Sequence, residues 1–266
     1  MRLLTLTSST TDPRERGRQI GGAHPDAVRR SAELYRAHFV ALGIDLDRAD
    51  EIARRSHDLL RGWHAPLAEE SDAMADAAGV DRLLVAAVGA RTEILAAAEP
   101  QREGECSTAV HVPATGAAET IQTWDWHAAL VPFGLLLDYA PAAGRRAKLF
   151  TEFGTAAKIG ANSAGLGLHF NILSHRQDSA AGGVPVHAIA RRIIDEADSV
   201  DDAIALASSA AVSASTVFTV TERGDDRRAP RAASIEVSPA GVAVVAPAGD
   251  GWLLHTNHFL DEGLAA

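Results

Sequence analysis

The chain has 266 residues, 47% of them hydrophobic and 23% charged, and a formal net charge of −10. That length suits one domain, or one domain with an appended helical segment, and buries roughly three quarters of the unfolded surface without staples. The acidic balance, with no basic block, excludes a nucleic-acid partner, and no run nears the ~18 apolar residues of a membrane span.

In chain order, residues 1–105 read as mostly helical after a short apolar start at Leu3, Leu4 and Leu6. Val28, Ala32, Tyr35, Phe39 and Leu42 form one helical stripe, with Gly43 as its C-terminal cap. A second helix is expected over Asp47–Trp63 and a third over Ala65–Ala78. Asp81 reads as the N-cap of a fourth that carries Leu83, Leu84, Ala87, Val88 and Ile94. After Glu99-Pro100 strand periodicity takes over. Val110 and Val112, a loop over 113–118 and Ile121–Trp126 read as one hairpin; Lys158-Ile159, a turn over 160–165 and Leu166–Ile172 read as another. Val184–Ala211 reads as two helices broken near Ser199. Short strands follow at Val217–Thr221, Ser234–Val237, Val242–Ala246 and Trp252–Thr256. The class is α+β.

Three familiar constellations fail. Asn162-Ser163-Ala164-Gly165 lacks the first glycine of a serine elbow, since Ala161 stands there. His255 and His258 fall on opposite faces of a strand, so no metal is expected, and Gly165-Leu-Gly167 opens no helix, so no dinucleotide or other cofactor is expected. Cys106 differs. It is the single cysteine, so no internal disulfide exists, which fits a reducing compartment. Met1–Arg18 has no signal-like apolar core, and a cytoplasmic location follows as the default. Cys106 sits in Gly104-Glu105-Cys106-Ser107-Thr108, where the helical half meets the strand half. With Val112 facing Glu119 across the first hairpin, Cys106 falls opposite Asp125, and cross-strand Cβ atoms are ~5 Å apart. Trp124 and Trp126 then point to the other face and pack away from the site. A thiol at such a junction suits attack on the carbonyl of Glu105. Hydrolysis of the thioester frees an α-amine, which ordinarily titrates at about 7.7–8.0 and is a fitting general base for its own side chain.

These residues resemble the isopenicillin-N/acyl-CoA:6-aminopenicillanic-acid acyltransferase family of self-cleaving N-terminal-nucleophile hydrolases. The matching pieces, in family order, are Arg16-Gly-Arg-Gln-Ile-Gly21 on the first helix, Glu105-Cys106-Ser107-Thr108-Ala109, Gln122-Thr-Trp124-Asp125-Trp126, Lys158-Ile-Gly-Ala-Asn162-Ser-Ala-Gly165-Leu166, Glu236-Val-Ser238-Pro239 and His255-Thr-Asn257-His258-Phe259. The resemblance implies an αββα sandwich over 106–266, preceded by a helical leader over 1–105 that becomes the second chain of a cleaved precursor. It implies Cys106 as nucleophile, Asp125 as the aspartate that helps arrange it, Asn257 as the side-chain oxyanion donor and Thr108 at a position linked to processing. The implied substrate is a small amide or acyl-CoA-type compound, with no nucleic acid and no membrane as partner. Glu105 stands where the best-known members carry Gly. Relatives continue beyond the H-T-N-H-F block through more strands and an arginine associated with the site, so the core is expected to be C-terminally shortened. The rival reading is a truncated, non-catalytic relative that binds a small amide or a partner protein. Penicillin-V-type and bile-salt hydrolases share the G-x-N-x-x-G-L turn but begin almost at their cysteine.

Overall fold

A computed structural model describes residues 1–98, 106–224 and 229–265. The architecture is α+β, with an eight-stranded sheet, a three-stranded sheet and a helical layer. Arg2–Ser8 forms β1, so the apolar start of the chain is a strand rather than a prelude to helices. Helices α1 (Pro13–Ala23), α2 (Pro25–Ala41), α3 (Leu46–Trp63), α4 (Ala65–Ala78), α5 (Arg82–Gly89) and α6 (Arg91–Leu95) follow. Their ends obey local rules. Asp12, Asp45 and Asp81 each accept a hydrogen bond from a first-turn N–H, and Gly43 adopts φ +74° just after α2.

Strands β2 (Ser107–His111), β3 (Glu119–Thr123), β4 (Phe133–Tyr139), β5 (Ala147–Glu152), β6 (Ile159–Asn162) and β7 (Leu166–Ile172) come next, then α7 (Val186–Glu196) and α8 (Val200–Ser208). The chain returns through β8 (Thr216–Glu222), β9 (Arg231–Ser238), β10 (Gly241–Val245) and β11 (Trp252–His255) to the short α9 (Glu262–Ala265). Ser199 caps α8 by accepting from Asp202 N at 3.1 Å, which is the helix break expected there. Between β6 and β7, Gly165 takes φ +91°, and Ser163 is an exposed turn residue.

The large sheet runs β1-β4-β5-β6-β7-β8-β9-β10, parallel only at β1–β4. Leu135, Leu149, Leu168, Phe218 and Ile235 on one face meet Ile189, Ile193 and Ala203 of α7 and α8, together with Ile20, Met74 and Ala75 of the N-terminal helices. The small sheet, ordered β11-β2-β3, packs on the opposite face through Val110 and Leu253. Three layers result among the described residues: helices, large sheet, small sheet. On the outer face of the small sheet Ile121, Trp252 and Leu254 are exposed.

The N-terminal segment is built into this body. On α1, Gly17 and Gly21 let α4 approach so closely that an added Cβ would lie 2.2 Å from Glu70 O or Met74 O. Buried Glu70 of α4 then accepts from Arg16 Nε at 2.7 Å and from Arg191 Nη1 of α7 at 2.9 Å. Glu93 of α6 is fully buried; its Oε1 accepts from Val186 N at 2.9 Å, and its Oε2 has no hydrogen-bond partner among the described residues. Burial pushes this carboxyl up to about 7, against the pull of the Val186 N–H and of Arg91. Between the ordinary 4.5 and about 7, the folded state keeps a proton that the unfolded chain has released. This contribution is complete below the unfolded value and is lost as pH rises through about 7. Glu93→Gln cannot ionise, so its stability relative to wild type is expected to rise by on the order of 3 kcal/mol from about pH 4.5 to 8. Urea midpoints of both proteins across that range check this; parallel curves refute it.

Candidate active site

Cys106 lies immediately before β2 and is buried. Its backbone N–H donates to Asn257 Oδ1 at 2.6 Å. The Asn257 Nδ2 donates to Ile172 O at 2.7 Å, so the two partners define the amide's orientation. Asn257 stands two residues past β11, in a loop held from beneath. Fully buried Glu236 of β9 accepts from Leu260 N at 2.6 Å and Asp261 N at 3.1 Å, and its Oε1 lies 2.7 Å from His255 Nε2. Burial pushes the Glu236 carboxyl upward, but the bonds from His255 and the two backbone N–H groups outweigh it, and the net shift is downward. The Glu236 and His255 blocks, far apart in sequence, thus form one support for Asn257. His258 is exposed, and among the described residues no three His, Cys, Asp or Glu side chains are grouped to hold a metal. No helix among them is long and apolar enough to cross a membrane.

Asn171 of β7 joins the two sheets. Its Oδ1 accepts from Thr108 Oγ1 at 2.7 Å and Gln122 Nε2 at 2.8 Å, and its Nδ2 donates to His255 O and Thr256 O. The buried Thr108 hydroxyl therefore anchors β2 to β7.

The first hairpin is one residue out of the expected register: His111, not Val112, faces Glu119, and the ladder ends at Ser107–Thr123. Asp125 is consequently not a cross-strand partner of Cys106. It lies beyond the strand with an exposed side chain, and its backbone N–H faces the thiol. Trp124 and Trp126 correct the expectation too. Both line the small cavity, about 10 Å³, that also holds Cys106 and Asp125. The register shift accounts for both: Thr108 pairs with Gln122, and the alternation continues past Thr123, with Gln122, Trp124 and Trp126 half-buried on the Cys106 side and Asp125 exposed between them.

Behind the thiol lies a buried ionic cluster that sequence spacing did not bring together. Glu152, the last residue of β5, ion-pairs with Lys158 and with Arg91 of α6, whose Nη2 is 3.3 Å away. Tyr35 of α2 donates to Glu152 Oε2 at 2.5 Å, and Trp126 Nε1 donates to the Tyr35 oxygen at 3.0 Å. Lys158 Nζ sits 3.7 Å from the centroid of the Trp124 ring, and the Arg91 guanidinium is 4.5 Å from that of Trp126. Burial, then Arg91, push Lys158 down to about 7, with Glu152 opposing. Burial pushes the Cys106 thiol up; the Asp125 N–H, Lys158 and Arg91 pull against it, and the Asp125 carboxylate adds to the rise. The available signal was compositional: Lys158 is one of two lysines in an arginine-rich chain.

A larger cleft of about 370 Å³ adjoins this cavity and shares Trp126 and Ile172 with it. Chemically, the arrangement offers a thiol, a backbone nitrogen held by a side-chain amide, a nearby carboxylate and two buried cations.

The chain is similar to the acyl-coenzyme A:6-aminopenicillanic-acid-acyltransferase 40 kDa form of Emericella nidulans, 27% identical over 170 residues. The alignment covers 64% of this chain and 45% of that relative, so the chain spans less than half of the relative's length. The sequence model of the family described as acyl-coenzyme A:6-aminopenicillanic acid acyl-transferase matches residues 116–266, more than half of the chain. The match runs through the Trp-Asp-Trp segment, the Asn162 turn and the Asn257 loop, and the chain therefore belongs to the acyl-coenzyme A:6-aminopenicillanic acid acyl-transferase family.

Proposed function

We propose that this protein is a cytoplasmic, self-cleaving cysteine amidohydrolase or acyltransferase with the N-terminal-nucleophile αββα core, acting on a small amide or acyl thioester through an acyl-Cys106 intermediate. The observation that carries the reading is the bond from Cys106 N–H to Asn257 Oδ1 across 151 positions of sequence. A side chain that grips the nitrogen beside a buried thiol serves a residue whose nitrogen takes part in chemistry. Membership of an acyltransferase family supports the reaction class.

In the first step Cys106 Sγ attacks the Glu105 carbonyl carbon. The C–S bond forms, the C–N bond breaks, and the thiol proton goes to the leaving nitrogen. Water then cleaves the thioester, leaving a Glu105 carboxylate and a free Cys106 thiol and α-amine. Glu105, like the rest of 99–105, lies outside the described residues. In turnover the α-amine takes the thiol proton as Sγ attacks the substrate carbonyl, and the leaving amine or thiol departs with that proton. Water or an acceptor amine then resolves the acyl thioester. Asp125 arranges the nucleophile, Asn257 Nδ2 supplies a donor to the oxyanion, and Thr108 holds β2 in place for processing. Residues 1–105 stay bound as a subunit, because β1 is a strand of the large sheet and Glu70 bridges Arg16 and Arg191.

Denaturing mass spectrometry of the purified protein tests this. Two fragments, 1–105 and 106–266, are expected from wild type and one full-length mass from Cys106→Ala. A wild type that stays full-length through long incubation, yet is fully active, overturns the mechanism.

A further inference from the structure

The α-amine invoked for turnover does not exist until the chain has been cleaved. In the intact chain the Cys106 nitrogen is a peptide N–H that donates to Asn257 Oδ1 at 2.6 Å, and it cannot act as a base. The first attack of Cys106 Sγ therefore needs another proton acceptor, within direct reach or one water away.

The space around the thiol narrows the choice. The cavity of about 10 Å³ that Cys106 lines holds no more than about one water molecule. Among the described residues its other ionisable walls are Arg91, Asp125 and Lys158, and no histidine lines it. The Arg91 guanidinium keeps its protons at any working pH. The Asp125 side chain is exposed, and the backbone N–H of that residue is what faces the thiol. Lys158 is left, buried with its Nζ 3.7 Å from the centroid of the Trp124 ring.

The charges around Lys158 come from several elements. Glu152 of β5 pairs with it, Arg91 of α6 opposes it, and the thiol faces it. Tyr35 of α2 reaches it only through Glu152. Buried His187 of α7 is pushed well below its ordinary value, first by burial and then by Arg91 and Lys158, so it adds no charge. Burial, then Arg91, bring Lys158 down to about 7, while burial raises the thiol above its ordinary 9.0. An ammonium is ordinarily the weaker acid of the two, and here that order is reversed. Near neutral pH a free amine thus stands beside an intact thiol. Proton transfer creates an ammonium that faces the Glu152 carboxylate and a thiolate that faces the ammonium and Arg91, so both new charges meet partners already in place.

We propose that Lys158 is the base of self-cleavage, used once before the α-amine takes over. This rests on the self-cleaving, acyl-Cys106 reading and adds the residue that starts it. Neutral Lys158 Nζ takes the proton from Sγ, and Sγ bonds to the Glu105 carbonyl carbon. The Lys158 ammonium returns that proton to the Cys106 nitrogen as the C–N bond breaks. The nitrogen leaves as a neutral amine, and the lysine is regenerated. Arg91 lies before the cleavage point, so residues 1–105 tune the base that severs them.

The test follows the full-length chain made by cell-free synthesis with labelled methionine. Both methionines, Met1 and Met74, precede Cys106, so the label passes from the intact chain to fragment 1–105. Cleavage is chased from about pH 5.5 to 9. The wild-type rate is expected to rise about tenfold or more up to about pH 8 and then level off, as Lys158 loses its proton. Lys158→Ala is expected to cleave at least about a hundredfold more slowly, the usual contribution of a general base. Added ethylamine is expected to rescue it in proportion to the free amine. Lys158→Arg keeps the charge beside Glu152 but cannot shed a proton, and is expected to be as slow, without rescue. Urea midpoints check that both variants fold; Glu152 keeps Arg91 as its partner in each. A wild-type rate that is flat with pH, or that climbs about tenfold per pH unit beyond pH 8 as the thiol alone dictates, overturns the proposal whatever the variants do. So does Lys158→Arg cleaving within about threefold of wild type, which reduces the lysine to a charge, or a folded Lys158→Ala that ethylamine does not rescue. In each of these cases wild type still cleaves, and the self-cleaving reading stands. A wild type that never yields fragment 1–105 overturns both.

Discussion

Asn257→Ala is expected to lower turnover of simple amides and thioesters on the order of 10²–10³-fold, the usual cost of losing one oxyanion donor. The effect has two sources. The Nδ2 group uses one of its two hydrogens on Ile172 O and has the other for a developing oxyanion. The Oδ1 holds the Cys106 nitrogen at 2.6 Å, the nitrogen that the proposed cleavage would free as an α-amine. Loss of Oδ1 therefore loosens the base as well. Glu236→Gln supplies the positioning control, since it keeps Asn257 but weakens the loop under it, where Glu236 accepts from Leu260 N and Asp261 N. It is expected to lower kcat less than Asn257→Ala does and to leave the Cys106 thiol reactive towards iodoacetamide. Equal turnover by wild type and Asn257→Ala would remove Asn257 from the chemistry.

Glu152→Gln is expected to destabilise the fold by about 3–5 kcal/mol, read as a shift of the urea midpoint at unchanged slope. Glu152 is the carboxylate between two buried cations, Arg91 and Lys158, and it also receives the Tyr35 hydroxyl. Burial alone would push its carboxyl upward, yet Arg91, Lys158 and the hydrogen bonds hold it below the ordinary value. An uncharged amide leaves both cations without a counter-charge in a buried site. Lys158, already pushed down to about 7, can shed its proton, whereas the Arg91 guanidinium cannot. The double variant Glu152→Gln/Lys158→Met is therefore expected to recover part of the loss. A single variant within about 1 kcal/mol of wild type would show that the cluster's charges are screened by water.

The cluster also bears on catalysis by its place. It sits against Trp124 and Trp126, which wall the thiol cavity, and Arg91 belongs to the segment before the proposed cleavage point. A loss of Arg91 contacts would be felt at the thiol, because Lys158 and Arg91 both oppose the upward push of burial on Cys106. The N-terminal segment thus contributes to fold and charge at once.

The features legible in the residues alone are local ones. The α7–α8 break at Ser199, the cap at Asp81, the Gly43 exit and the Gly165 turn each depend on residues within a few positions, and each is where local rules put it. The strands β8 to β11 were legible for the same reason, from β-rich runs bounded by turn residues. Packing between distant segments settled the rest. β4 is hidden in the sequence because Leu135, Leu136 and Leu137 are apolar in a row, so residue type does not alternate even though burial does: Leu135 and Leu137 face the core and Leu136 is exposed. β1 is a strand because β4 offers it a parallel edge 131 positions downstream, from Arg2 to Phe133. The hairpin register slipped by one because loop geometry, not spacing, chose the pairing, and that slip moved Asp125 off the ladder and brought both tryptophans to the cavity. Cys106 and Asn257 stand out in sequence as a lone thiol and a polar strand end, but the 2.6 Å bond between them exists only because Asn171 and Glu236 hold two sheets and a loop in register. Short-range patterns encode element ends and turns; contacts between distant residues are set by which buried polar groups find partners when the layers pack.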